Sequence, residues 1–166
     1  MKYRVRDSSA DKAKTPGPGE LKALGGKGVV VIADDNEQMR RHLVGIALLA
    51  LGPKIEIIDT DNFQTALSAI KEKSHRVIGV VTDNSYWDKP GESRQLGEFA
   101  KPMVDAVKEI NPDAPVVVYC GGFASEQDKS HVRQNATFIH KAGTKDIELI
   151  RKFKEVFEGR LRNLNG

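Results

Sequence analysis

One cysteine in 166 residues, Cys120, leaves no partner for an internal disulfide, so the chain must hold its fold by packing and suits a reducing compartment. No apolar run approaches the ~18 residues that a membrane-spanning helix needs. The opening stretch MKYRVRDSSADKAK lacks the apolar core of a secretory signal. Together these absences lead us to expect a cytoplasmic protein without a membrane partner. The four histidines, at positions 42, 75, 131 and 140, form no metal-ligand spacing, which argues against a zinc site. The glycines of LGGKG precede the first strand-like run, whereas a phosphate-cradling loop should follow one and open a helix.

Charge of one sign is also missing from most of the chain. The net charge of +3 is concentrated in residues 1–27, which hold seven Lys/Arg against three Asp/Glu. The remainder carries 19 basic and 20 acidic residues. A nearly neutral body does not suit nucleic acid, and a basic tail is most simply a solvated one. Residues 1–26 contain TPGPGE and no sustained period, so we expect a disordered tail followed by one domain over 27–162 and a short tail at 163–166.

What is present is a repeated alternation. Short Val/Ile-rich runs at Val29–Ala33, Ile55–Ile58, Val77–Thr82, Val116–Tyr119 and Thr137–His140 are mostly apolar on both faces, as buried parallel strands must be. Amphipathic stretches separate them. The first covers about Glu37–Leu51, with Met39, Leu43, Ile46, Ala47 and Ala50 on one side and Gly52-Pro53 as its stop. The next, near Asn62–Lys71, turns Phe63, Ala66, Leu67 and Ile70 inward, and a third places Phe99, Met103, Val107 and Ile110 on one face. A fourth starts at Ser125, where SEQD resembles a capping box. The last, about Lys145–Arg162, is expected to bury Ile147, Ile150, Phe153 and Phe157. Five strand-then-helix units with right-handed crossovers give an α/β fold: a doubly wound (βα)5 parallel sheet with helices on both faces. The residues after the last strand suffice for one helix, so no output domain is expected on this chain.

Ligands of open parallel sheets bind beyond the carboxyl ends of the strands. There the sequence places Asp34 and Asp35 after the first strand, Asp83 after the third, Cys120, Gly121 and Gly122 at the end of the fourth, and Lys141 after the fifth. Adjacent carboxylates raise each other's cost of ionising, a cost that a divalent cation removes. Mg²⁺ suits such a set, being a hard ion that takes carboxylates, carbonyls and waters. Taken singly, Asp35 or Asn36 would pass as a helix cap and Asp83 as a turn residue; their coincidence at strand ends one, three and five is the informative feature.

ADDN after strand one, VVTD ending strand three and FIHK ending strand five resemble the receiver domain of two-component response regulators, the CheY-like family, over about Gly28–Leu161. The resemblance implies a flavodoxin-like strand order of 2-1-3-4-5. It further implies that Asp83 accepts a phosphoryl group, that Asp34, Asp35, Asp83 and the Ser85 carbonyl hold Mg²⁺, and that Lys141 pairs with the phosphoryl oxygens. The amides of Asn84 and Gly121 would donate to those oxygens, and Phe138 stands at the switch position. The donor would be a histidine kinase or phosphotransfer protein. The output would be a separate protein on the face of the fourth helix, fifth strand and fifth helix.

Two features depart from the receiver pattern. Receivers usually carry Thr or Ser where this chain has Cys120, a poor hydrogen-bond donor that is either a small buried hydrophobe or a thiol with a role of its own. The loop after Asp83, NSYWDKPGESRQLG, is long, and Tyr86 and Trp87 within it would form a lid, offer a partner anchor, or pack on the neighbouring helix, which is the expected outcome. Two rival functions remain. A pseudo-receiver would use the same fold for binding without phosphoryl chemistry. A hydrolase built on Cys120 would need an activating base such as His131 or His140. A tyrosine-phosphatase loop would further demand Arg where the chain has Glu126.

Overall fold

Valine and isoleucine on both faces of a strand leave it nowhere stable except the middle of a sheet covered on both sides. The computed structural model, which describes residues 27–92 and 95–165, puts these strands there. The expected tail at 1–26 lies outside the described residues.

In chain order the elements are β1 (Val29–Ala33), α1 (Glu37–Leu51), β2 (Glu56–Thr60), α2 (Phe63–Glu72), β3 (Val77–Thr82), β4 (Ser85–Tyr86), β5 (Gly97–Glu98), α3 (Ala100–Ile110), β6 (Val116–Cys120), α4 (Glu126–Asn135), β7 (Thr137–His140) and α5 (Asp146–Asn165). Five strands form one parallel sheet in the order β2-β1-β3-β6-β7. This is the doubly wound order 2-1-3-4-5 expected of the five main strands. β4 and β5 form a separate antiparallel pair within the long loop after Asp83.

One face of the sheet packs on α2, α3 and α4 through Ala66, Ile70, Met103, Val107 and Val132. The other packs on α1 and α5 through Leu43, Ile46, Leu149, Phe153 and Phe157. The β1–β3 register slips between Val29 and Val30, whose partners are Val77 and Gly79. Ile78 is therefore a bulged residue, and it and Gly79 both face α5. A Cβ on Gly79 would run into the Phe157 ring, so glycine is what allows α5 to lie this close.

Local chemistry sets the helix ends. Asn36 and Asn62 cap α1 and α2 by accepting the N–H groups of Met39 (3.0 Å) and Thr65 (2.9 Å), and Ser125 Oγ accepts that of Asp128. Gly52, at φ 84°, closes α1 with its N–H on the Leu48 carbonyl.

Two expectations for α5 need correction. Ile147 is 73% exposed and Leu149 is buried in its place. At 3.6 residues per turn Ile147 lies about 120° around the helix from Phe153, off the face that Leu149, Phe153 and Phe157 share. The helix also runs on to Asn165, beyond the expected end at Arg162, because Leu164 still packs on the core. No described helix is long and apolar enough to cross a membrane.

Candidate functional site

Register brings the acidic residues together. Ala33 and Thr82 are paired, so the residues after them, Asp34 and Asp83, leave the sheet side by side, with the Asp83 N–H on the Ala33 carbonyl (2.8 Å). Cys120 and His140 are likewise paired, and the Lys141 N–H bonds the Cys120 carbonyl (2.9 Å). All four strands therefore end at one rim. Carboxylate oxygens of Asp34, Asp35 and Asp83 lie within 4.8 Å of one another. Lys141 Nζ donates to Asp34 Oδ2 at 2.8 Å and to Asp83 Oδ2 at 2.7 Å.

Asp34 is only 1% exposed and half-buried Lys141 is its counter-charge. Burial pushes Lys141 toward losing its proton, but the bonds to Asp34 and Asp83 outweigh it and hold its pKa above the ordinary lysine value. One ammonium cannot serve three carboxylates. Burial, with Asp34 as a like charge, raises the pKa of Asp83 despite its bonds to Lys141 and the Asn84 N–H. Burial and Asp34 raise Asp35 as well. Such an oxygen-only, anion-rich donor set fits a hard divalent cation such as Mg²⁺.

Each remaining expected site residue has a definite place. The Asn84 N–H donates to Asp83 Oδ1 at 2.7 Å. Because the Phe99 N–H bonds the Asn84 carbonyl, the Ser85–Glu98 pair is of the non-hydrogen-bonded kind, and the ladder leaves Ser85's own carbonyl unused. Gly121 is exposed, with nothing near the place a Cβ would take. Partly buried Phe138 stacks at a tilt on Phe123, 5.4 Å between ring centres, beneath the Arg133 guanidinium. Cys120 is buried at the end of β6, its thiol on the Gly122 carbonyl (3.6 Å). Burial raises its pKa, the opposite of what a nucleophilic thiolate needs. The thiol bonds the Gly122 carbonyl, and neither His131, which is paired with Asp105, nor His140, which accepts the Ala142 N–H, is hydrogen-bonded to the thiol.

In the described part of the long loop, Tyr86 packs into the core. Tyr86 is fully buried, its hydroxyl 2.9 Å from Thr82 Oγ1 and its ring against Phe99. Trp87 and Asp88 lend their carbonyls to the first N–H groups of α2, those of Phe63 and Gln64.

Two contributors were not apparent from the sequence. Arg40 of α1 donates from Nη1 to the carbonyls of both Asp34 (2.8 Å) and Asp35 (3.1 Å) and from Nε to Asp59, fixing the turn that carries the first two aspartates. Its place in α1, one turn after the Asn36 cap, was the available signal. Glu98 of β5 accepts from the Asn84 side-chain amide (3.1 Å) and from the Ala124 N–H (3.3 Å).

No family model matches the chain, and no curated protein is similar to it at a significant level. Solved structures are similar in shape. A response regulator receiver domain protein from Clostridium thermocellum superposes at a TM-score of 0.61 with 13% identity, over 80% of this chain and 96% of that one. A CheY-like receiver domain protein from Methanospirillum hungatei gives 0.59 at 15% identity, over 84% and 98%. The chemotaxis protein CheY4 of Vibrio cholerae gives 0.53 at 18% identity, over 79% and 99%. With its strand order, this likeness shows that the chain has the fold of the CheY-like receiver domains.

Proposed function

We propose that the chain is a phosphorylatable receiver: Asp83 takes a phosphoryl group from a phosphohistidine on a histidine kinase or phosphotransfer protein. The observation that carries this reading is Lys141 Nζ bridging Asp34 and Asp83 beside Asp35 at one rim of the sheet. A carboxylate oxygen of Asp83 attacks phosphorus, the P–N bond to the donor imidazole breaks, and the imidazole is left protonated. Bound Mg²⁺, held by Asp34, Asp35, Asp83 and the Ser85 carbonyl, would supply neutralisation of the phosphoryl charge. Lys141 would meet the same oxygens from the other side, with the amides of Asn84 and Gly121 as further donors. The signal would pass to a separate protein on α4, β7 and α5, where exposed Ile147 stands beside Ile150, Arg151 and Lys154.

Incubation with acetyl phosphate and Mg²⁺, followed by intact mass, tests this. Wild type should gain one phosphoryl group and Asp83→Asn none; no adduct in wild type would sink the proposal.

A second reading, a binding module of the same fold without phosphoryl chemistry, is favoured by Cys120, whose buried thiol is turned onto the Gly122 carbonyl. In that case Mg²⁺ and acetyl phosphate leave the mass unchanged.

A further inference from the structure

A hydroxyl at the end of the fourth parallel strand would tie the β6–α4 loop to a phosphoryl group, and Cys120 offers none. The structure holds that loop by another route. Asn84, 5% exposed, follows the phosphoacceptor directly and joins three segments. Its backbone N–H is on Asp83 Oδ1, its side-chain oxygen accepts the Ala100 N–H at the start of α3, and its side-chain nitrogen reaches both Glu98 Oε1 and the Gly122 carbonyl (3.3 Å). The same Glu98 oxygen accepts the Ala124 N–H. Between Gly122 and Ala124 lies Phe123, whose ring packs on Phe138. An unbroken set of contacts therefore runs from Asp83 through Asn84 and Glu98 to the loop and on to Phe138.

We propose that Glu98 and the Asn84 side chain couple the occupancy of Asp83 to the position of the β6–α4 loop, in place of a hydroxyl at residue 120. The physical basis is that one residue carries both ends. The Asn84 N–H now holds Asp83 Oδ1, and a phosphoryl group on Asp83 brings new acceptor oxygens within its reach, so the partner of this peptide differs between the two states. Its side chain is anchored to Glu98 and Gly122, so a shift of that peptide changes bonds on the loop itself. A ligand moves an equilibrium only through contacts that differ between the states, and here the differing contact is the Asn84 N–H. Glu98 belongs to the loop inserted after Asp83, so the insertion supplies the coupling. Glu98 is a positioning residue, because it acts through Asn84 and Ala124 rather than on the reacting atoms.

This inference rests on the proposed phosphorylation of Asp83, and its test keeps the two apart. Wild type, Glu98→Ala and Glu98→Gln are each treated with acetyl phosphate and Mg²⁺ for mass. Each is then treated with beryllofluoride and Mg²⁺ for amide chemical shifts at Gly121–Ser125 and Phe138. We expect a phosphoryl adduct on all three, loop shifts in wild type and in Glu98→Gln, which keeps an acceptor oxygen, and loss of those shifts in Glu98→Ala. Adducts on all three with undiminished loop shifts in Glu98→Ala would overturn the coupling alone. No adduct in wild type would overturn the phosphorylation reading and the coupling with it. Equal loss in Glu98→Gln and Glu98→Ala would also count against it, since the acceptor oxygen would then not be what matters.

Discussion

Asp35 and Asp83 each keep a proton more readily than an ordinary aspartate, for which the pKa is 3.8, because burial and the neighbouring Asp34 charge penalise ionisation. The sign follows directly. A folded-state pKa above the unfolded one favours the fold while the group is protonated, below the unfolded value, and that advantage is lost as pH rises through the folded pKa. A divalent ion binds only the ionised form, so it competes with those protons. The rise in melting temperature produced by Mg²⁺ should therefore be smaller in acid and grow toward neutrality. A melting temperature indifferent to Mg²⁺ at neutral pH would contradict a metal site here. At this scale the sequence was informative about Asp34, Asp35, Asp83 and Lys141, since strand ends can be read and the residues following them counted. Arg40 and Glu98 escaped because part of what each binds is main chain, which carries no residue identity, and the rest lies far away in sequence.

Helices differ sharply in what anchors them. α3 buries Ala100, Met103, Val104 and Val107, whereas α4 buries only Val132 and relies on polar ties to α3 such as His131 to Asp105 (2.7 Å). Polar ties at a wet surface contribute little compared with burial. In native-state hydrogen exchange we expect the amides of α4 to open by local unfolding at less than roughly half the free energy that protects β3. Equal protection of the two would show that those ties hold α4 as firmly as a core. The five parallel strands were legible as continuous apolar runs and most of the helices by their period, while caps such as Ser125 marked boundaries. The β4–β5 pair was not, since two-residue strands have no period and their pairing follows from where the loop is anchored. Ile147 misled because spacings of three, taken repeatedly, drift around a helix instead of staying on one face.

For the molecule as a whole, the two packed faces of the sheet set how closely the layers approach. Gly79 has no room for a methyl group under Phe157, while Gly45, exposed in α1, has nothing within 4 Å. The same substitution should therefore have opposite effects. Gly79→Ala is expected to cost about 1–3 kcal/mol by forcing α5 outward. Gly45→Ala should stabilise by about 0.5–1 kcal/mol through the chain entropy that glycine carries in a helix. Urea midpoints measure both, and effects of the same sign would mean that α5 is less tightly seated than these contacts imply. Sequence alone could not foresee this contrast, because the Ile78 bulge inverts which residues of β3 face α5.

The insertion after Asp83 also carries the chain's single tryptophan. The Trp87 backbone N–H is bonded to the Asp61 carbonyl and its carbonyl to the Phe63 N–H, so the main chain that carries the indole is fixed at the start of α2. Ultraviolet emission excited at the red edge thus arises from one place only, and the protein comes with its own unlabelled optical probe of that strap.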